Sequence, residues 1–243
     1  MIWSQMPLAA FDLETTGPDP RDARVVTAYI GVINGSAKIE HHWLLDPGIE
    51  IPAGATAVHG ISTEKARAEG LDYRTGMIQI QATLDTLWGQ GRIVAAYNGC
   101  YDLTVLAHEA ARLQLDSKPV GPMVDPFVLD RHVDPHRQGK RKLVDVATVY
   151  GVKMGAAHTA DADALAAARL AWVMARRFPE IGQLDVAQLM SLQAQCYAER
   201  SQQLRAMLED IATKKQERAH SMLEDARGLL VRAAGISELW PVQ

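Results

Sequence analysis

The stretch FDLETTG, residues 11–17, closes an apolar run that starts at residue 8. In a strand, side chains i and i+2 stand on one face, so Asp12 and Glu14 present two carboxylates side by side where the run ends. Two such groups can converge on one hard cation. The same pair also fits a polar strand end emerging into solvent. Thr15, Thr16 and Gly17 follow, with hydroxyls and backbone N–H groups placed for a substrate hydroxyl.

Working outward, residues 8–14, 25–33 and 38–46 are apolar or alternating runs separated by Gly, Pro, Asn and Asp, a pattern that predicts three consecutive antiparallel strands. Residues 47–62 read as a Pro/Gly-rich connection. Helices are expected over 63–70, capped by Thr63, and over 76–90, with a strand over 92–97, a helix over 102–114 and a strand over 121–125. Short helices over 126–132 and 142–150, with Leu143, Val146 and Tyr150 in the core, precede an Ala-rich helix over 160–178. This alternation predicts an α/β fold, a mixed sheet flanked by helices. Pro179 and Gly182 end the last helix and mark a domain boundary, 1–178 against 179–243. Beyond it Leu204, Met207, Leu208 and Ile211 recur at i, i+3, i+4 and i+7, and Met222, Leu223, Ala226 and Leu230 repeat the pattern. The extension therefore reads as one or two amphipathic helices.

A chain of 243 residues with 48% hydrophobic content can bury a substantial core. No apolar stretch approaches the roughly 18 residues of a membrane helix and no signal-peptide layout opens the chain, so no membrane partner and a cytoplasmic location are expected. Cys100 and Cys196 form no metal or disulfide pattern and read as ordinary apolar positions. A formal charge of −4 excludes a protein that coats nucleic acid by bulk electrostatics. A local basic surface survives that argument at HRQGKRK, residues 136–142. Between Glu199 and Glu238 acidic and basic residues balance at seven each, so the extension is no electrostatic arm.

Two further motifs carry acids. In AYNGCYD, residues 96–102, a short strand ends and Asp102 enters the first turn of a helix, where it either favours the helix dipole or joins a site at the open end of the sheet. In HTADAD, residues 158–163, His158 precedes the Ala-rich helix and Asp163 lies in its first turn, with Asp161 suited to starting that helix. Four carboxylates and a histidine are what a phosphodiesterase needs: hard ligands for two Mg²⁺ ions ~4 Å apart and a group to deprotonate water. Acids gathered this way repel one another without cations. Mn²⁺ suits the same oxygen ligands.

FDLETTG, VHGIS at 58–62, YNGCYD and HTADAD, in this order, resemble the DnaQ-like, DEDDh branch of 3′-to-5′ exonucleases, to which the proofreading epsilon subunit of bacterial DNA polymerase III belongs. The resemblance covers residues 7–178. It implies a ribonuclease-H-like fold, with Asp12, Glu14, Asp102 and Asp163 as metal ligands and His158 as general base. Thr at 159 excludes the sister branch, which carries Tyr there. Val58, His59 and Gly60 would line the pocket of the terminal nucleotide, and Asn98 would brace the site. Asp125, in MVDPFVLDR, stays outside the metal site, where a turn before a helix explains it. The resemblance places Lys140 and Arg141 of the basic loop against substrate phosphates.

The implied function is removal of nucleoside 5′-monophosphates from single-stranded or frayed DNA 3′ ends, in replication proofreading or repair. RNA ends, or a scaffold with a vestigial nuclease core, are the competing readings. The helical extension is open to a polymerase partner or to a second copy of the chain.

Overall fold

The computed structural model describes residues 1–34, 37–116, 119–155 and 159–235. Two compact units divide the chain, Met1–Ala194 and Gln195–Gln243.

The first unit is built on a sheet of five strands in the order β3-β2-β1-β4-β5. β1 (Leu8–Thr15), β2 (Val25–Asn34) and β3 (Ala37–Leu44) form the expected antiparallel meander. β4 (Ile93–Ala95) runs parallel to β1, and β5 (Met123–Val124) parallel to β4. β1 is thus central, and its alternation sorts its side chains between two cores. Ala9, Phe11 and Leu13 join Met77, Ile80 and Leu84 of α3 (Tyr73–Gly89) and Val105 and Leu106 of α4 (Cys100–Arg112). Ala10 belongs to the opposite core, with Leu129 of α5 (Pro126–Val133), Val146 of α6 (Leu143–Tyr150) and the alanines of α7 (Ala160–Arg177). Ala164, Ala168 and Ala171 are all but fully buried there, and their small side chains let α7 lie close to the sheet. A mixed sheet with helices on both faces is the ribonuclease-H-like arrangement.

Three expectations change. Residues 47–62 contain a helix, α1 (Ala53–His59), which starts after Pro52 and ends on Gly60 in the left-handed conformation, φ 77°. The cap of α2 (Thr63–Glu69) is Ser62, whose Oγ accepts from Lys65 N at 3.2 Å, while Thr63 Oγ1 accepts from Ile51 N at 2.9 Å. The compact core also extends past residue 178. Trp3, in a short 3-10 turn that the periodicity does not reveal, donates from Nε1 to Ile181 O at 2.7 Å, and Ser4 Oγ donates to Gly182 O at 2.7 Å. These bonds bind α8 (Pro179–Gly182) to the N-terminus, and Leu189 at the start of α9 (Val186–Ala234) is fully buried.

The second unit is the remainder of α9, one helix rather than two among the described residues. Leu204, Met207, Leu208, Ile211, Met222, Leu223 and Leu230 are all 40% or more exposed. No described helix is long and apolar enough to cross a membrane.

Candidate active site

Strand period puts Asp12 and Glu14 on the Ala10 face of β1, the side on which α7 packs, and Asp163 sits in the first turn of α7. Asp102 arrives from the other direction, in the first turn of α4. Its Oδ1 accepts the N–H of Leu13 at 3.1 Å, so this carboxylate is fixed against the backbone between the two β1 acids. The β1–β2 register slips between Glu14 and Thr15, a bulge that turns the strand end at the site.

The electrostatics show how closely the four acids are gathered. Burial raises the Asp12 carboxyl well above its ordinary range, and the charges of Asp102, Glu14 and Asp163 raise it further. Glu14 is pushed to about 7, by burial first and Asp163 second. Asp102, 4% exposed, is raised by burial; its own amide and that of Leu13 oppose the shift, and Asp125 and Glu14 add to it. Among the described residues no three acid, His or Cys side chains are drawn together tightly enough to grip an ion as they stand. As a donor set they nonetheless suit hard divalent cations: all are carboxylates, and Asp12, Glu14 and Asp102 are each disfavoured as anions by burial and by neighbouring acids. Asp161 differs, its carboxyl held low chiefly by the Thr159 hydroxyl, as suits a helix start.

Beside Glu14 lies a cleft of about 370 Å³ lined by Thr15, Thr16, Gly17, Ala55, Val58 and His59. Four of the sequence-predicted substrate residues, Thr15, Thr16, Val58 and His59, therefore share one wall. The hydroxyls of Thr15 and Thr16 also bond within the protein. Thr15 Oγ1 lies 2.5 Å from the Tyr101 hydroxyl, and both meet the Gly17 carbonyl. Thr16 Oγ1 accepts from Arg24 N at 2.9 Å. His59 Nδ1 accepts from Ile61 N at 3.1 Å, and burial lowers the ring's pKa, which favours the neutral imidazole. Gly60 caps α1 and does not line this cleft.

Asn98 bonds to Asp125 through its backbone. It adopts φ 59° in the turn before α4, and its N–H donates to Asp125 Oδ1 at 2.9 Å. Gly99 N donates to Asp125 Oδ2 at 3.0 Å, and Phe127 N to Oδ1 at 2.9 Å. Asp125, 3% exposed and with its pKa raised to about 6 chiefly by burial, thus ties the Asp102 turn to α5. Gln193 of α9 in turn accepts from Asp125 N at 2.7 Å and donates to Met123 O at 3.0 Å. Asp125 caps α5 as the sequence predicts, whereas its bonds to the Asn98 turn, and the roles of Tyr101 and Gln193, escaped the sequence reading. Asp-Pro at the end of a strand signals the helix cap, but nothing local signals the partners 27 and 68 residues away. Lys140 and Arg141 line a different hollow, and Arg141 is engaged within the loop by Asp130. His158 lies outside the described residues.

The RNase T exonuclease family model matches residues 9–171, a span that contains all four acids and His158. The chain belongs to the DnaQ-like exonuclease family. Among solved structures, this chain resembles Escherichia coli exonuclease I with a dT13 oligonucleotide, at a TM-score of 0.59 and 19% identity over 73% of this chain and 42% of the other. A zinc-bound form of the E. coli exonuclease I–ssDNA complex matches at 0.59 and 20%, with the same coverage. Exonuclease I from Methylocaldum szegediense matches at 0.56 and 21%, over 72% of this chain and 42% of that one. The chain therefore spans less than half the length of these structures, and at such identity they speak to its fold. No curated protein matches it in sequence.

Proposed function

We propose that this exonuclease is divalent-metal-dependent and works 3′ to 5′, releasing nucleoside 5′-monophosphates from single-stranded or frayed DNA ends in proofreading or repair. The observation that carries the reading is the placement of Asp102 against the Leu13 amide, between Asp12 and Glu14, with Asp163 close enough to raise both β1 acids. Asp12, Glu14, Asp102 and Asp163 would hold two cations, Mg²⁺ or Mn²⁺, which when bound supply Lewis-acid activation of water and stabilise the leaving 3′ oxygen. The chain's own groups do the rest. Val58 and His59 form a wall for the terminal nucleoside, and the Thr15–Tyr101–Gly17 contacts keep that wall rigid beside Glu14. The motif assigns His158 to take the proton from water. That E. coli exonuclease I holds single-stranded oligonucleotides on a similar fold supports DNA as the substrate.

The test is a gel time course on 5′-labelled single-stranded DNA beside a matched RNA, with Mg²⁺, Mn²⁺ or chelator, for wild type and Asp12→Ala. A ladder that shortens from the 3′ end of the DNA, needs metal and disappears in the variant is expected. Trimming of the RNA in preference to the DNA would overturn the substrate assignment. An Asp12→Ala ladder equal to wild type would overturn the site.

A further inference from the structure

Between α5 and the loop that follows it lies a hollow of about 510 Å³ lined by Phe127, Arg131, Arg137, Lys140, Arg141 and Lys142. It is built by one buried acid. Asp130, fully buried, accepts from Arg137 Nη2 at 2.7 Å and from Arg141 Nη1 at 2.6 Å. Arg141 also donates to the carbonyls of Asp130 and Asp134. These bonds fold the loop onto α5 and hold its backbone, which leaves Lys140 and Lys142 exposed at the hollow. Arg131 stacks over the Phe127 ring at 4.7 Å. Five cations thus line a space whose buried counter-charge is Asp130, in a chain of net charge −4. Asp145 is also near, its carboxylate accepting Lys142 N at 3.1 Å.

Tyr97 links the hollow to the turn before α4. Tyr97 donates from its hydroxyl to Arg141 O at 2.6 Å and packs edge-on to Phe127 at 5.5 Å. The next residue is Asn98, in the turn that launches α4 and Asp102.

We propose that this hollow is a phosphate track, holding backbone phosphates of the substrate strand on the 5′ side of the nucleotide being removed. The inference deepens the exonuclease reading and rests on it. Exposed ammonium groups and a guanidinium stacked on an aromatic ring are donors suited to a phosphodiester backbone and to a base beside it. An acidic peptide would match the charge, but the link through Tyr97 to the turn that carries Asp102 favours the substrate strand.

Lys140 and Lys142 can be changed without touching the Asp130 pairs, so Lys140→Ala/Lys142→Ala is compared with wild type by fluorescence anisotropy of labelled dT20 and dT2, in chelator, over a salt series. The full chain is used, with unchanged thermal melting as the folding control. The variant should bind dT20 on the order of tenfold more weakly, with a salt slope lower by about 1 to 2, and bind dT2 as wild type does. Equal dT20 affinity in both proteins would overturn the track, as would an equal loss on dT2. Decaglutamate bound by wild type as tightly as dT20, and lost in the variant, would assign the hollow to an acidic peptide instead. Since no hydrolysis is required, a dT20-specific defect in a protein that cleaves nothing with Mg²⁺ or Mn²⁺ would sink the exonuclease reading alone.

Discussion

Asp130 and Asp102 are both shut away from water, at 0% and 4% exposure, and their surroundings are opposite. Asp130 is ringed by two guanidinium groups and takes the Tyr150 hydroxyl at 3.2 Å, so its charge is answered inside the protein. Asp102 has the Leu13 amide, and around it lie Glu14 and Asp125, all of its own sign. Asp130 is balanced by cations of the fold, whereas Asp102 and its acidic neighbours are not, and on the proposed function their balance comes from bound metal.

The largest effect that can sharpen this contrast is expected at Asp130. Asp130→Ala strands two buried guanidinium groups and should cost about 3–5 kcal/mol, read as a lower urea midpoint at unchanged slope. An unshifted midpoint would erase the distinction between the two centres. Asp12→Ala and Asp163→Ala should do the reverse. Turnover falls on the order of 10²-fold or more, about 2.7 kcal/mol of barrier, while metal-free stability holds or rises because a repelling charge is gone. Loss of stability in parallel with activity would mean these acids serve the fold.

A smaller effect lies in pH. Glu14 has a folded-state pKa of about 7 against an ordinary 4.5, so the metal-free folded protein binds more protons than the unfolded chain between those values. Its contribution is fully present below pH 4.5 and is lost as pH rises through 7, a fall of roughly 1–2 kcal/mol once partial exposure is allowed for. The metal-free melting temperature of Glu14→Gln should lack that part of the decline, and Mn²⁺ at pH 7 should offset it in wild type. Identical pH profiles for the two proteins would contradict it. Gln193→Ala, which removes bonds to Met123 of β5 and to Asp125 beyond it, should cost about 1–2 kcal/mol by urea titration. Smallest of all, Lys214→Ala breaks an exposed i, i+4 pair with Asp210 and should change helicity by circular dichroism by no more than about 0.5 kcal/mol allows.

The parts of the site that could be read in advance are the ones decided over a few residues. Asp12 and Glu14 share a face because a strand repeats every two residues, and Asp102 and Asp163 each fall in the first turn of a helix whose start the local pattern marks. α1 was missed because its seven residues, AGATAVH, bury nothing, so no apolar period marks them. Thr15 and Thr16 line the cleft beside Glu14, and their hydroxyls also bond within the protein. Their hydroxyls answer Tyr101 and Arg24, partners that only the folded turn brings near.

Local chemistry by itself determined the sheet's meander, the Ala-rich helix laid across it, and which acids could meet, since strand and helix periods are properties of neighbours along the chain. Tertiary structure alone decided the rest. Asp102 reaches the Leu13 amide across 89 residues, Trp3 holds Ile181 across 178, and Asp130 takes Arg141. Hydrogen bonds and ion pairs act over about 3 Å, so their partners are chosen only once the chain has folded.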